Sequence, residues 1–379
     1  MNGLKVSFDA SAIPRKPAGA GRYCLEIVRS LSQLHQEVSL DVISRKGDRA
    51  RWEELGPAHV ASVAPTRRLS RLAYEGTLMS GAIRRLGVDV HHAPHYTMPR
   101  HARVPVVVTI HDVTFFERPE VHEPAKVAFF KRAITRASAT AGALVCVSAW
   151  TADRLAEHVD VSVPVIVAHH GIDHARFTPV EPQPGADQRA LKELGLVEGR
   201  RRIVTLGTLE PRKGIVSLVE AFDTVAGGDR DVELVIAGQR GWGMEEIDSA
   251  IESSAHRDRI TLLGYVADSI VPALLRSADL VVYPSVDEGF GLPALEALAC
   301  GTLLVTTQDS VMAQLCGTAA WLSPPSSAGD LASLISDALN ATTEERERRR
   351  TLGISTAAGF TWEESARHHL VAYRTAAGS

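Results

Sequence analysis

Short β-branched runs alternate with longer amphipathic stretches along this chain, and the alternation occurs twice, on either side of one proline-rich break. A pattern of this kind predicts parallel sheets assembled from βα units, an α/β fold class. In the first half the predicted strands are 4–9, 38–43, 88–92, 105–110, 143–147 and 163–168. Predicted helices there cover 21–34, 70–86, 124–139 and 149–158. The break at 178–185 holds three prolines and a glycine in eight residues, which reads as an extended linker. Beyond it, strands are predicted at 202–206, 232–237, 259–262, 280–283 and 302–306, with helices at 215–225, 294–299 and 330–339. A charged helical face at 344–350 and an amphipathic helix at 362–373 close the chain. The simplest architecture is two doubly wound, Rossmann-like domains facing across a cleft. Domain one is expected at 1–177, a linker at 178–187 and domain two at 188–360. Ligands of such sheets bind beyond the carboxyl ends of the strands.

Composition narrows the function classes. At 379 residues the chain exceeds one typical core. A net charge of −4 argues against a nucleic-acid partner. No apolar run approaches the ~20 residues that span a bilayer. The first ten residues read as a buried strand and lack the long apolar segment of a signal peptide. Cys24, Cys146, Cys300 and Cys316 form no CxxC pair and read as buried free thiols of a reducing compartment. The expected location is the cytoplasm, with at most peripheral contact at the inner membrane face.

The strongest chemical signal is the run from Glu288 to Glu296, EGFGLPALE. It follows the strand predicted at 280–283 and opens a helix with Pro293 near its start. A glycine-rich turn entering a helix offers backbone N–H groups and the positive end of a helix dipole, both suited to phosphate. The two framing carboxylates suit sugar and ribose hydroxyls. Together these features predict a ligand that is part diphosphate and part polyol. An ordinary strand–turn–helix with solvated carboxylates is the alternative.

A second loop, Gly207 to Gly214, places Arg212 and Lys213 at the start of the next helix. A guanidinium and an ammonium there can both meet a diphosphate, and the loop lacks the GxxxxGK[ST] spacing of a P-loop. Residues 17–23 carry Gly19 and Gly21, which allow close backbone approach to a ligand. They do not complete GxGxxG, so a dinucleotide fingerprint is disfavoured. His111 and Asp112 end a strand made almost entirely of valine, where His111 can donate to or sense charge at a reacting centre. A structural His–Asp pair is the alternative there. His91, His92, His95, His101 and His122 lack partners at metal-ligand spacing, and the first three are expected in a loop around Pro94. No metal site is predicted. Lys126, Lys131, Arg132 and Arg136 interleave with Val127, Phe129, Phe130 and Ile134. This is either an acceptor- or membrane-docking helix or a core-packed helix with a solvated basic face.

The E-x7-E element, GTLEPRKG at 207–214, Gly264-Tyr265-Val266, VSAWT at 147–151 and His170-Gly-Ile-Asp173 together resemble one family over essentially the whole chain. It is the retaining, metal-independent glycosyltransferases of GT-B fold in the glycogen-synthase-like family four. The resemblance implies that Glu288 holds donor sugar hydroxyls, with the backbone of Phe290, Gly291 and Leu292 near sugar and phosphate. Glu296 matches the ribose-binding carboxylate, and Arg212 with Lys213 the pair that neutralises the diphosphate leaving group. Gly21 would approach the phosphate, Tyr265 and Val266 would flank the base, and His111 would lie near the anomeric carbon. The last helix, 361–379, is similar to those that cross back to the first domain. The family often has Asn-Gly-Val-Asp where this chain has His170-Gly-Ile-Asp173.

A narrower likeness, in 237–243 and the Thr-Ile-His-Asp run from Thr109, is to bacterial mannosyltransferases that use GDP-mannose in polysaccharide assembly. The implied co-substrate is GDP-mannose first and a UDP-hexose second, with a saccharide or glycolipid acceptor and no cofactor. A sugar-nucleotide epimerase or hydrolase and a non-catalytic sugar-nucleotide binder are the other readings. Acceptor identity, linkage and oligomeric state stay open.

Overall fold

The computed structural model describes residues 3–14, 19–196 and 199–378. It divides into two compact units, Met1–Gly171 with Thr361–Ser379, and Ile172–Phe360.

The first unit is built on a seven-stranded sheet of order β3-β2-β1-β4-β5-β6-β7, parallel throughout. Its strands are β1 (Leu4–Asp9), β2 (Val38–Arg45), β3 (His59–Ala64), β4 (Val90–Ala93), β5 (Val106–Ile110), β6 (Ala143–Cys146) and β7 (Val165–Val167). Every residue of β4, β5 and β6 is buried. That explains their largely apolar character: a central parallel strand is covered on both faces. One core cluster joins Phe8, Tyr23, Ile27 and Trp52 to Trp362, Leu370 and Tyr373 of the final helix, Trp362–Ala377. That helix is also tied by polar contacts. Tyr373 Oη lies 2.7 Å from His92 Nδ1, and His369 Nε2 lies 2.7 Å from Tyr23 Oη.

The second unit carries a six-stranded parallel sheet of order β10-β9-β8-β11-β12-β13. Its strands are β8 (Arg201–Leu206), β9 (Val232–Ala237), β10 (Ile260–Gly264), β11 (Leu280–Tyr283), β12 (Leu304–Thr307) and β13 (Ala320–Ser323). Leu218, Phe222, Leu234, Ile236 and Ile335 anchor its core. The carboxyl ends of β8 and β9 approach so closely that a Cβ on Gly238 would stand 1.7 Å from the Gly207 carbonyl oxygen. Only glycine fits there.

In each sheet the strand order reverses beside the unit's first strand, between β1 and β4 and between β8 and β11. Loops leaving such neighbours in opposite directions open a crevice at the carboxyl edge. The residues with chemical potential gather at these two reversal points.

Several expectations are corrected. The strands β3 and β13 were not predicted from sequence; both are half-exposed edge strands without a continuous apolar run. The helix predicted at 70–86 is two helices, Arg68–Thr77 and Met79–Leu86, parted at Leu78. Gly76 weakens the helix there, and Thr77 Oγ1 donates back to the Ala73 carbonyl at 2.6 Å, a bond that bends helices. The expected linker to 187 is helical from Ala186, since Gly185 in the left-handed region caps the helix Ala186–Glu193. His91 and His92 are strand residues of β4, fully buried, and not members of a loop.

Candidate functional site

In the second unit, β8 is followed by Gly207 and a short 3-10 turn, Pro211–Lys213. Gly214, at φ 67°, ends that turn and starts the helix Ile215–Gly228. A Cβ at Gly214 would lie 2.3 Å from the Pro284 carbonyl oxygen, so this glycine lets the loop after β8 press against the loop after β11. The backbone closes the contact: Val286 N–H donates to the Arg212 carbonyl at 2.9 Å. Arg212 and Lys213 are thereby held against Glu288.

Lys213 is buried, and its ammonium ion-pairs with Glu288 Oε1 and donates to Tyr283 Oη at 2.8 Å. Tyr283 and Ser285 donate to the same Glu288 oxygen at 2.7 and 2.8 Å. Arg212 pairs with Glu288 Oε2 at 3.1 Å and with Glu210 at 2.6 Å, and donates to the Asp287 carbonyl at 2.6 Å. Burial works to raise the Glu288 carboxyl, but Lys213 and Arg212 beside it override that and hold it well below the usual carboxylate range. Burial also pulls the Lys213 ammonium below its ordinary value, while Glu288 works against the fall. Tyr283 is pushed far up by burial and by the neighbouring Glu288 charge, so its hydroxyl stays protonated.

The cluster therefore holds two cations and two carboxylates, formally neutral, at the reversal point of the sheet. Lys213 has three donors, of which Tyr283 and Glu288 take two. One N–H remains for an incoming oxygen. Glu288 Oε1 is saturated by three donors, whereas Oε2 meets only Arg212 and has accepting capacity left.

Gly291, at φ 87°, precedes the helix Leu292–Ala299 with Pro293 in its first turn. The first N–H groups of a helix lack intrahelical acceptors, so Gly291 and Leu292 present donors close to Glu288 in the chain. Phe290 is buried. Glu296 sits one turn into the same helix, also buried. Tyr265 and Val266 follow β10; the tyrosine is 68% exposed and the valine buried. Arg212, Lys213 and Glu288 are thus brought together. Gly291 and Leu292 share their loop–helix junction, and Tyr265–Val266 follow β10, the edge strand of that sheet.

In the first unit, Gly19 (φ 50°) precedes the helix Ala20–Gln33, and Gly21 is buried in its first turn. Residues 15–18, including Pro17 and Ala18 of the predicted glycine turn, lie outside the described residues. His111 follows β5 and is buried. Its Nε2 lies 2.8 Å from the Pro94 carbonyl oxygen, which can only accept, so Nε2 carries the proton. Burial depresses His111, offset by that bond and by Asp112. In the neutral ring Nδ1 is an acceptor. Asp112 braces the loop after β5, accepting from Thr114 N–H at 3.1 Å, Thr114 Oγ1 at 2.8 Å and Tyr96 Oη at 2.9 Å.

No group of three metal-capable side chains occurs among the described residues, and no helix there is long and apolar enough to cross a membrane. All four cysteines are free and buried. Sequence reasoning missed Glu210, Tyr283 and Ser285. Tyr283 ends a strand otherwise aliphatic, and Ser285 precedes Glu288 by three residues, which are the only linear hints of their role.

Known proteins share this organisation. The family described as glycosyl transferases group 1 matches residues 187–354, and Glycosyltransferase Family 4 matches residues 17–176. The O-antigen chain mannosyltransferase B of Escherichia coli is 26% identical over 389 residues, spanning 98% of this chain and 100% of the relative. Among solved structures, sucrose-phosphate synthase from Thermosynechococcus elongatus superposes with a TM-score of 0.77 at 19% identity, covering 98% of both chains. Anabaena HepE, solved in complex with UDP-glucose, gives 0.75 at 18% identity over 97% of this chain and 98% of that one. Two successive family matches, a full-length relative and two solved folds agree with the sheet reversals described above: the chain belongs to the group 1, family-four glycosyltransferases and has the GT-B fold.

Proposed function

We propose that this protein is a retaining, metal-independent hexosyltransferase that moves mannose from GDP-mannose to a hydroxyl of a saccharide or glycolipid acceptor. The observation that carries this reading is the Arg212–Lys213–Glu288 cluster beside a helix start at the reversal point of the second sheet. Mannose is favoured by the full-length likeness to a mannosyltransferase. A UDP-hexose is the second choice.

Breaking the glycosidic C–O bond leaves positive charge on the sugar and negative charge on the departing diphosphate. The free N–H of Lys213, the Arg212 guanidinium and the N–H groups at Gly291 and Leu292 supply fixed donors for that charge in a buried site, where electrostatics are strengthened. Glu288 keeps the two cations aimed before the ligand arrives and accepts sugar hydroxyls at Oε2. His111, neutral with its proton on Nε2, would accept a hydroxyl at Nδ1 near the anomeric carbon. The acceptor hydroxyl attacks from the face the diphosphate leaves, and its proton departs with the diphosphate. Configuration is retained. Glu296 would hold the ribose, Tyr265 and Val266 the base, and Gly19 and Gly21 would permit close approach to the phosphate.

Thermal stabilisation by GDP against UDP tests the donor, because a ligand at 100 times its Kd adds about 2.7 kcal/mol to apparent stability. A larger shift with GDP is expected; equal shifts remove the preference. Product analysis with GDP-mannose and candidate acceptors tests the reaction: an acceptor adduct supports transfer, and free mannose or an epimer alone refutes it.

A further inference from the structure

The final helix, Trp362–Ala377, meets the first sheet through a chain of hydrogen bonds whose direction can be worked out from one end to the other. Tyr23, His92, Thr109, His369 and Tyr373 are its members, all fully buried and all in the first unit. His369 Nδ1 lies 2.7 Å from the Ser365 carbonyl oxygen, which can only accept, so Nδ1 carries the proton. Burial disfavours the charged form of both His369 and His92, and it keeps both tyrosine hydroxyls protonated. In a neutral ring the second nitrogen accepts, so Tyr23 Oη donates to His369 Nε2 at 2.7 Å. That spends the one hydroxyl proton of Tyr23. Thr109 Oγ1, 3.0 Å from the same oxygen, must then donate to it. Thr109 has no second proton, so His92 Nε2 donates to Thr109 at 2.7 Å. His92 Nδ1 is left as an acceptor, and Tyr373 Oη donates to it at 2.7 Å. Five bonds run one way, from Tyr373 to Ser365, and both ends are on the final helix. A single backbone carbonyl sets the direction of all five.

Two members of the chain reach the histidine assigned above to the reacting centre. Thr109 belongs to β5, two positions before His111. The Tyr23 and His111 rings form a T-shaped pair, with centroids 5.0 Å apart and planes at 81°. His111 Nε2 is tied to the Pro94 carbonyl at 2.8 Å, so one edge of its ring is held by a hydrogen bond and its side by Tyr23. A phenylalanine at 23 would fill almost the same volume. What the hydroxyl adds is two fixed partners, Thr109 and His369, that set where the ring sits.

We infer that Tyr23 is a positioning residue for His111, its hydroxyl clamped between β5 and the final helix by this one-way chain. The inference rests on the transferase reading, because that reading puts His111 at the reacting centre.

The test begins with long-range nitrogen–proton correlation spectra of the histidine rings in the full chain at neutral pH. His92 should carry its proton on Nε2 and His369 on Nδ1; the opposite tautomer at either ring overturns the chain. In Tyr23→Phe the Thr109 hydroxyl is released and can donate to His92 Nε2. His92 should then become a mixture of tautomers, and the His111 resonances should broaden. With GDP-mannose and an acceptor that the parent uses, kcat should fall about tenfold in this variant while the donor KM changes less than about twofold, a loss of alignment and not of binding. His369→Leu removes the acceptor of the Tyr23 proton and should lose as much. The double variant Tyr23→Phe/His369→Leu should fall no further than either single one, since both act through the same bond. Unchanged kcat in a folded Tyr23→Phe chain overturns the positioning role, as do multiplicative losses in the double variant. If Tyr23→Phe does not fold, the parent tautomers and His369→Leu decide. GDP stabilisation should be equal in all these chains, because Lys213 and Glu288 belong to the other unit. The expected tautomers in a parent chain that transfers to no acceptor would count against the transferase reading alone.

Discussion

Lys213 and Glu288 form a buried ion pair whose members each have a second partner, Tyr283 and Arg212 respectively. Removing one member leaves the other charge buried and under-compensated, which costs about 3–5 kcal/mol, whereas removing both costs far less than the sum. Lys213→Met and Glu288→Gln should therefore each lower the urea midpoint strongly, and the double variant should recover much of the loss. Strict additivity in that cycle would mean the pair is not coupled. Transfer should fall about 10²–10³-fold in Lys213→Ala even where circular dichroism shows a folded chain, by analogy with the loss of one oxyanion donor. Near-normal turnover would remove Lys213 from the mechanism. The importance of these residues was legible in the linear order, because a basic pair after a strand and a carboxylate before a helix are local signals. Their mutual neutralisation was not. Lys213 and Glu288 are 75 positions apart, and the contact depends on Gly214 allowing the Pro284 backbone to approach.

At the level of elements, the final helix Trp362–Ala377 is docked through a buried network of histidine and tyrosine. His92 also meets Thr109 Oγ1 at 2.7 Å, and His369 Nδ1 lies 2.7 Å from the Ser365 carbonyl. Burial holds His91 and His95 down to about 3 and His369 to about 4, with His92 and His170 also well below the ordinary value. The unfolded chain then binds protons near pH 6.5 that the folded chain refuses, each unit of separation being worth about 1.4 kcal/mol. Stability contributed by these rings is complete above pH 6.5 and is lost as pH falls from there toward 4. Asp9 acts in the opposite sense between about 6 and 3.8, since burial and Glu75 raise it, and burial raises Asp41 as well, but these are two groups against the five histidines. A urea midpoint that drops steadily from pH 7 to 4.5 is expected, and a flat profile would contradict the buried network. The helix itself was predicted from its periodicity. Its docking on the first unit was expected from the family resemblance and not from its periodicity, because an amphipathic stripe does not state which surface covers it. Edge strands β3 and β13 escaped notice for a related reason: half-exposed strands lack the apolar run that marks a central one.

On the scale of the whole molecule, two parallel sheets each reverse their strand order once, and the Arg212–Lys213–Glu288 cluster gathers in the loops that follow β8 and β11 at the second reversal. Fixed cations and a helix start can stabilise a leaving diphosphate without a divalent ion, so transfer should continue in excess chelator. Loss there, with rescue by a divalent ion, would refute metal independence. By itself the sequence determined the alternation of strand and helix, the two-sheet plan and the loops that carry charge, because each is set by local periodicity, glycine and capping chemistry. Only the tertiary structure decided which carboxylate neutralises which cation, and that His111 is neutral with its proton on Nε2. Those outcomes depend on close approach between residues distant along the chain, and on burial, which sets both charge state and hydrogen-bond partner. Neither is written in any short stretch of sequence.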